Sequence, residues 1–304
     1  MSGLLGSAVS AADKRAAFRA GLISGRIQRL PGAFNPLVAR LIEEIGFEGV
    51  YVSGAVLSAD LALPDIGLTT LTEVAGRGQQ IAGVTDLPVL IDADTGFGEP
   101  MSAARTVTVL EDAGIAGAHL EDQVNPKRCG HLDGKAVVPT ADMVRRLRAA
   151  VSARRDPGFV ICARTDAAGI EGIDAAIERA KAYQDAGADL IFTEALADAA
   201  DFEKFRAAVS IPLLANMTEF GKSELLPART LESIGYNAVI YPVTTLRLAM
   251  WAAESGLREI FEKGTQAGLL DRMQHRSRLY ELLRYERYNE FDSDVFNFTL
   301  GRNQ

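Results

Sequence analysis

The sequence predicts an α/β protein, a closed (β/α)8 TIM barrel with a C-terminal helical extension. Three observations carry that expectation. The first is a recurring phrase in which a helix-like stretch meets a glycine and, two or three residues later, a short apolar run. It reads Ile45-Gly46-Phe47-Glu48-Gly49-Val50, Ala113-Gly114-Ile115-Ala116-Gly117-Ala118, Ala186-Gly187-Ala188-Asp189-Leu190-Ile191 and Ile234-Gly235-Tyr236-Asn237-Ala238-Val239. A glycine just past a helix supplies a left-handed C-cap. The unbroken apolar run behind it reads as a strand buried on both faces. The second observation is that eight such runs alternate with helical patterns, which implies parallel β/α units. The third is length, since 304 residues accommodate one barrel of about 250 residues and an extension.

In chain order, the first strand is short and lies near Leu30 to Phe34, and the second follows Gly49 and closes on Ser53-Gly54. The third arrives through proline in Leu87-Pro88-Val89-Leu90-Ile91, and the fourth is the run around Ala116 to Ala118. The fifth is Phe159-Val160-Ile161-Cys162-Ala163, the sixth Leu190-Ile191, the seventh Ile211-Pro212-Leu213-Leu214 and the eighth Ala238-Val239. Helical patterns such as Met143 to Ala153 and Asp174 to Ala186 lie between them. An open doubly wound sheet is the structural alternative. No Ser/Gly-rich linker divides the chain, so residues 1–304 read as one domain, with about 245–304 as the helical extension. There Leu269, Leu270, Met273, Leu279, Leu282 and Leu283 make an apolar stripe. It suits a helix packed on its own barrel or one exchanged with a neighbouring subunit.

Composition narrows the function. Hydrophobic residues make up 48%, enough for a real core, and two cysteines cannot staple a disulfide scaffold. Lys plus Arg number 32 against 40 Asp plus Glu, a net charge of -8, which argues against nucleic acid or an anionic membrane as partner. No run approaches the roughly 20 apolar residues of a membrane span. Met1-Ser2-Gly3-Leu4-Leu5-Gly6 lacks the basic n-region of a signal peptide, so a reducing cytoplasm is expected.

Barrel chemistry sits at the C-terminal ends of strands, and here those ends are polar. They read Ser53-Gly54, Asp92 with Asp94, Glu121-Asp122, Arg164-Thr165-Asp166, Glu194 and Asn216-Met217-Thr218. Carboxylates gathered at one rim raise each other's pKa or demand a cation. Residues two apart on a strand face one side, so Asp92 and Asp94 can approach one ion, with Glu121 as a third oxygen donor. Ligation by oxygen alone favours Mg²⁺ or Mn²⁺ over Zn²⁺. Helix or turn capping by Asp94 is the simpler reading of that residue taken alone. In Asn125-Pro126-Lys127-Arg128-Cys129-Gly130-His131, two cations and a histidine flank Cys129, an environment that favours thiolate. Cys162, inside a strand, reads as an inert core residue. Gly96-Phe97-Gly98 lacks the third glycine of a dinucleotide fingerprint, and His119, His131 and His275 have no zinc-protease spacing.

Lys127-Arg128-Cys129-Gly130-His131 after Glu121-Asp122-Gln123 resembles the signature of the isocitrate lyase/phosphoenolpyruvate mutase superfamily, and within it the methylisocitrate lyases. Tyr51-Val52-Ser53-Gly54, Leu63-Pro64-Asp65-Ile66-Gly67, Asp92 to Gly98, Ala163 to Asp166 and Leu214 to Gly221 extend the resemblance from about residue 30 to the last helix. The resemblance implies cleavage of a C–C bond in a small tricarboxylate, 2-methylisocitrate, to pyruvate and succinate within propionate breakdown. It implies a homotetramer with exchanged C-terminal helices and a Mg²⁺ cofactor, for which Mn²⁺ can substitute. Residue by residue, it assigns Asp92, Asp94 and Glu121 to the metal. It assigns Ser53, Gly54, Ala55, Asp65, Gly130, Arg164, Glu194, Asn216, Met217, Thr218, Arg247 and Arg276 to the substrate. Cys129 becomes the catalytic acid/base, with Lys127, Glu121, His131 and Arg164 beside it. Isocitrate or 2,3-dimethylmalate as substrate, or a non-catalytic ligand-binding barrel, are the alternatives.

Overall fold

A computed structural model of the chain describes residues 4, 6–128, 130 and 134–297. Eight parallel strands run through the described residues: β1 (Gln28–Pro31), β2 (Val50–Val52), β3 (Val89–Asp92), β4 (Gly117–Glu121), β5 (Val160–Thr165), β6 (Leu190–Thr193), β7 (Leu213–Asn216) and β8 (Ala238–Tyr241). Each pairs with its sequence neighbour from β2 to β8, and β8 pairs with β1, Gln28 opposite Ala238. Between β1 and β2 a single parallel bridge, Gly32 to Tyr51, closes the circle, with the Ala33 N–H donating to the Tyr51 carbonyl at 2.9 Å. The closed barrel therefore stands and the open sheet does not.

The glycine phrase marks helix ends as expected. Helix Pro36–Ile45 starts on Asn35, whose side chain accepts from the Val38 N–H, and stops at Gly46 with φ 93°. Helix Ala228–Ile234 stops in the same way at Gly235, with φ 103°. Helix Leu71–Ala82 opens on a full capping box between Thr70 and Glu73. The predicted helices appear as Thr140–Ala153 and Ile173–Asp185.

Two apolar layers result. Inside the barrel, Leu30, Leu90, Val160, Cys162, Leu190, Leu214 and Ile240 pack together, and Phe18 and Leu22 reach them from helix Ala11–Leu22. That helix is pinned by its cations: Lys14 Nζ donates to the carbonyls of Ala82 and Thr85, and Arg15 to those of Glu111 and Ile115. A second, larger layer fills the space between strands and outer helices. Cys162 is buried within the interior, and burial pushes its thiol well up.

The extension differs from the expected stripe. Helix Thr244–Lys263 buries none of its 20 residues, and Leu248, Trp251, Leu257 and Phe261 are 63%, 64%, 67% and 91% exposed. Its first turn is tied to the barrel, the Thr245 hydroxyl donating to the Gly32 carbonyl at 2.6 Å, while the four apolar residues farther along face solvent. A 3-10 turn (Ala267–Arg272) and helices Arg276–Leu282 and Tyr285–Phe296 follow. Of the stripe, Leu269 and Leu282 are buried, whereas Leu270, Met273 and Leu283 stay open to solvent. The pattern breaks because the segment turns near Met273, so residues drawn on one helix are divided between the 3-10 turn and helix Arg276–Leu282 and their ends.

Candidate active site

The polar strand ends meet above the barrel interior. Tyr51, Ser53, Ala55, Asp65, Asp92, Lys127, Gly130, Arg164, Phe192, Glu194, Asn216 and Thr218 line one cavity of about 50 Å³. On the far side of Asp94 a second cavity, of about 680 Å³, is lined by the turn after β3 and by Thr69, Thr70 and Ser102.

Local geometry aims the acids. Asp92 closes β3, and the Asp94 N–H donates to its Oδ1 at 3.0 Å. Asp94 itself sits at φ 46°, a left-handed conformation rare outside glycine and often found where function holds it. Gly54, first in helix Gly54–Asp60, donates its N–H to Asp92 Oδ2 at 3.1 Å. A Cβ there would lie 2.9 Å from Asp92 Oδ2 and 3.3 Å from Asp94 Oδ1, so glycine lets both carboxylates close around the helix start.

The environments of the two acids are opposite. Burial raises both, but His119, Lys127 and Arg164 face Asp92 and bring its carboxyl down to about 2. Asp94, buried beside the Asp92 charge, is pushed up to about 6 despite the Lys127 ammonium 2.9 Å away. Lys127 also pairs with Asp65, and although burial opposes its charge, the surrounding carboxylates of Glu121, Asp94, Asp92 and Asp65 hold it protonated. Beneath them, the Tyr51 hydroxyl and His119 Nε2 are 2.7 Å apart, with Asp92 Oδ1 3.6 Å from the same nitrogen. Burial lowers His119 to about 4, so the ring is neutral at pH 7.

Arg164 forms the opposite wall. Its Nε and Nη2 donate to Asp166 at 3.0 and 3.2 Å, its Nη1 lies 3.3 Å from Glu121, and its Nη2 lies 3.2 Å from Glu194. The guanidinium stacks over Phe192 at 5.1 Å. Asn216 Nδ2 donates to Glu194 at 3.2 Å, and Met217 is buried behind it, its sulfur accepting from the Leu226 N–H. Asp166 is held in turn by Asp122, which accepts the Asp166 N–H at 2.9 Å and the hydroxyls of Thr165 and Tyr183 at 2.8 Å each.

Both Glu121 oxygens are buried and accept no hydrogen bond, and burial pushes its carboxyl well up. Asp92, Asp94 and Glu121 are an all-oxygen set of the kind a hard divalent cation takes, and Mg²⁺ commonly uses one or two protein carboxylates plus waters. Among the described residues no three acid, histidine or cysteine side chains converge on one point. Glu121 lies 3.3 Å from Arg164 and also feels the Asp92 charge, and the fit is best at Asp92 and Asp94.

Arg247 and Arg276 stand apart from this cavity. Arg247 pairs with Glu219 at 2.8 Å and covers Phe220, and Arg276 is exposed at the start of a C-terminal helix. Cys129 and His131 lie outside the described residues. Gly130 is described and packs tightly, since a Cβ there would be 2.4 Å from both Arg164 Nη2 and Glu194 Cγ. Sequence reasoning placed Tyr51 and Asp166 within motif segments without giving them a role, and gave no site role to His119 or Lys135. The alternation Arg164-Thr165-Asp166 could have exposed the Asp166 contact; nothing local signals the others.

A parallel eight-stranded barrel with ionisable side chains crowded at its C-terminal rim defines the class of (β/α)8-barrel enzymes. The comparisons refine the class. The family described as phosphoenolpyruvate phosphomutase matches residues 18–261. The chain is 73% identical over 299 residues to the probable 2-methylisocitrate lyase 2 of Corynebacterium glutamicum, covering 98% of this chain and 97% of that one. Among solved structures it resembles a 2,3-dimethylmalate lyase, at TM-score 0.87 and 31% identity over 97% of this chain and 99% of that one. It also resembles a phosphonopyruvate hydrolase in complex with oxalate and Mg²⁺, at TM-score 0.85 and 28% identity over 93% and 99%. The chain belongs to the phosphoenolpyruvate mutase/isocitrate lyase superfamily.

Proposed function

We propose that this protein is a 2-methylisocitrate lyase, cleaving its substrate to pyruvate and succinate in the methylcitrate cycle of propionate breakdown. The observation that carries the reaction class is the pairing, across one cavity, of Asp92 and Lys127 with the Arg164 wall, with Asp94 joined to it through Lys127. Near full-length identity to relatives named for 2-methylisocitrate carries the substrate.

Cleavage requires a substrate hydroxyl to lose its proton while the departing enediolate-like succinate is stabilised and then protonated. Mg²⁺ held by Asp92 and Asp94, with Mn²⁺ as substitute, would supply Lewis-acid polarisation of the hydroxyl and its neighbouring carboxylate. The phosphonopyruvate hydrolase relative binds Mg²⁺. Ser53, Gly54 and Ala55 bring the start of a helix to the α-keto-acid half. The planar fork of Arg164 matches a carboxylate in two-point contact. Lys127 adds a buried positive charge on the side where negative charge develops. Cys129, next in sequence to Gly130 at the cavity wall, delivers the proton, assisted by His131. Asp65, Glu194, Asn216, Met217 and Thr218 shape the pocket, and Arg247 and Arg276 serve as outer carboxylate contacts.

We read residues 1–304 as one domain, and the exposed face of helix Thr244–Lys263 as the surface exchanged between subunits of a homotetramer. No described helix is long and apolar enough to cross a membrane, and the cytoplasm is the proposed location. The test is pyruvate release from 2-methylisocitrate, isocitrate and 2,3-dimethylmalate, each with and without EDTA. EDTA-sensitive release, fastest from 2-methylisocitrate, is expected. Release from none of the three would remove the lyase reading.

A further inference from the structure

We infer that Lys135 is a positioning residue that fastens the segment bearing Lys127 and Gly130 over the cavity and, through Asp166, sets the orientation of Arg164. The inference rests on the lyase reading only for its kinetic consequence; its conformational part stands on the contacts alone.

The segment leaves and rejoins the barrel through a short antiparallel pairing. Val124 N–H donates to the Ala136 carbonyl and Val138 N–H to the Asp122 carbonyl, each at 2.8 Å, and Gln123 bridges to Val137. Beyond this neck, Gln123 holds Arg128 from both sides, accepting its N–H at 2.8 Å and donating to its carbonyl at 2.9 Å. Lys135 stands just inside the returning arm, its side chain 5% exposed. Its ammonium donates to the Gly130 carbonyl across the segment and to Asp166 Oδ1, at 2.8 Å, on the barrel rim. One cation thus ties the segment to itself and to the strand end below.

The oxygen Lys135 uses is shared. Asp166 Oδ1 also accepts from Arg164 Nη2 at 3.2 Å, while Oδ2 accepts from Arg164 Nε at 3.0 Å. The same Nη2 faces Glu194 at 3.2 Å. With Lys135 seated, Asp166 divides its charge between two cations, and Nη2 is left at the long end of its contact range, turned toward the cavity. With Lys135 withdrawn, Asp166 has Arg164 as its one remaining cation among the described residues, and the guanidinium is drawn toward it. Seating the segment and presenting Arg164 to a carboxylate are therefore one event. Arg can replace Lys here in charge and reach, whereas Met keeps only the stem.

The test compares the wild type with Lys135→Met and Lys135→Arg, and uses Lys135→Gln if the Met variant does not fold. Amide hydrogen exchange across 122–138 reads the fastening without any turnover. Pyruvate release reads its consequence. Lys135→Met is expected to speed exchange in that segment alone and to lower kcat/KM by about 10- to 100-fold, chiefly through KM. Lys135→Arg is expected to restore both toward wild type. Unchanged exchange in Lys135→Met, or an arginine variant as impaired as the methionine one, would overturn the assignment. An inactive wild type with the expected exchange pattern would sink the lyase reading and leave the fastening intact.

Discussion

Lys127 Nζ lies 2.9 Å from Asp94 Oδ1, joining the segment between β4 and the next helix to the acidic turn after β3. The ammonium also meets Asp65, so one buried cation serves two carboxylates from separate loops. Replacing Lys127 with Met leaves both acids without it. Turnover should fall by about 10²-fold or more, and thermal unfolding should remain cooperative. Pyruvate release and calorimetry on the same preparation check this.

Gly130→Ala tests the closeness of the segment to Arg164. A Cβ 2.4 Å from both Arg164 Nη2 and Glu194 Cγ forces either those two side chains or the segment's backbone to shift. The expected result is a severe loss of kcat/KM with a Tm within a few degrees of wild type, since the residue stands at a rim and not in the core. Wild-type kinetics in this variant would show that the contact does not matter to turnover.

Arg164→Lys keeps a charge and loses the fork. Four contacts, to Asp166 twice and to Glu121 and Glu194, cannot be reproduced by one ammonium. A fall of about 10²-fold in kcat/KM is expected, with loss of stability as well, because buried carboxylates lose their partner. Kinetics and denaturant titration measure the two effects separately.

Cys129→Ser should bind substrate nearly as well as wild type while turnover drops by orders of magnitude, because a hydroxyl is a far weaker acid than a thiol beside two cations. Isothermal titration with substrate set against pyruvate release separates binding from chemistry. Turnover near that of the wild type removes Cys129 from the mechanism.

Acid stability should depend on Asp86, far from the cavity. Burial acts to raise its carboxyl, but the Ser7 hydroxyl, the N–H groups of Ala8 and Val9 and the Lys14 ammonium hold it below the ordinary value. A depressed folded pKa stabilises above the unfolded value of about 3.9, and the contribution is lost as pH falls through the folded one. The Tm gap between wild type and Asp86→Asn should therefore be widest at pH 6 and narrow below about pH 4. A gap that stays constant from pH 6 to 3 would exclude this linkage.

The strands were legible because each is an apolar run set off by a glycine or proline, a pattern confined to a few adjacent residues. The rim acids were legible for the same reason, since they are the next residues in the chain. What sequence could not display are pairings across the barrel. Tyr51 with His119 spans 68 positions and Lys135 with Asp166 spans 31, so neither leaves a local trace. The C-terminal extension was legible only in part. Its stripe reads as one helix face, yet Leu269 and Leu282 are buried while Leu270, Met273 and Leu283 are exposed.

The circle of strands is joined at Gly32 and Tyr51, where one bridge takes the place of a ladder. Gly32 is wedged so tightly that a Cβ would fall 2.0 Å from the Pro242 carbonyl oxygen. Tyr51 carries the joint on its backbone and touches His119 with its hydroxyl. The wall's narrowest weld and the floor of the reaction chamber are thus the same residue. Any breathing of the hoop at that weld is transmitted to the imidazole, and through it to Asp92, without crossing another side chain.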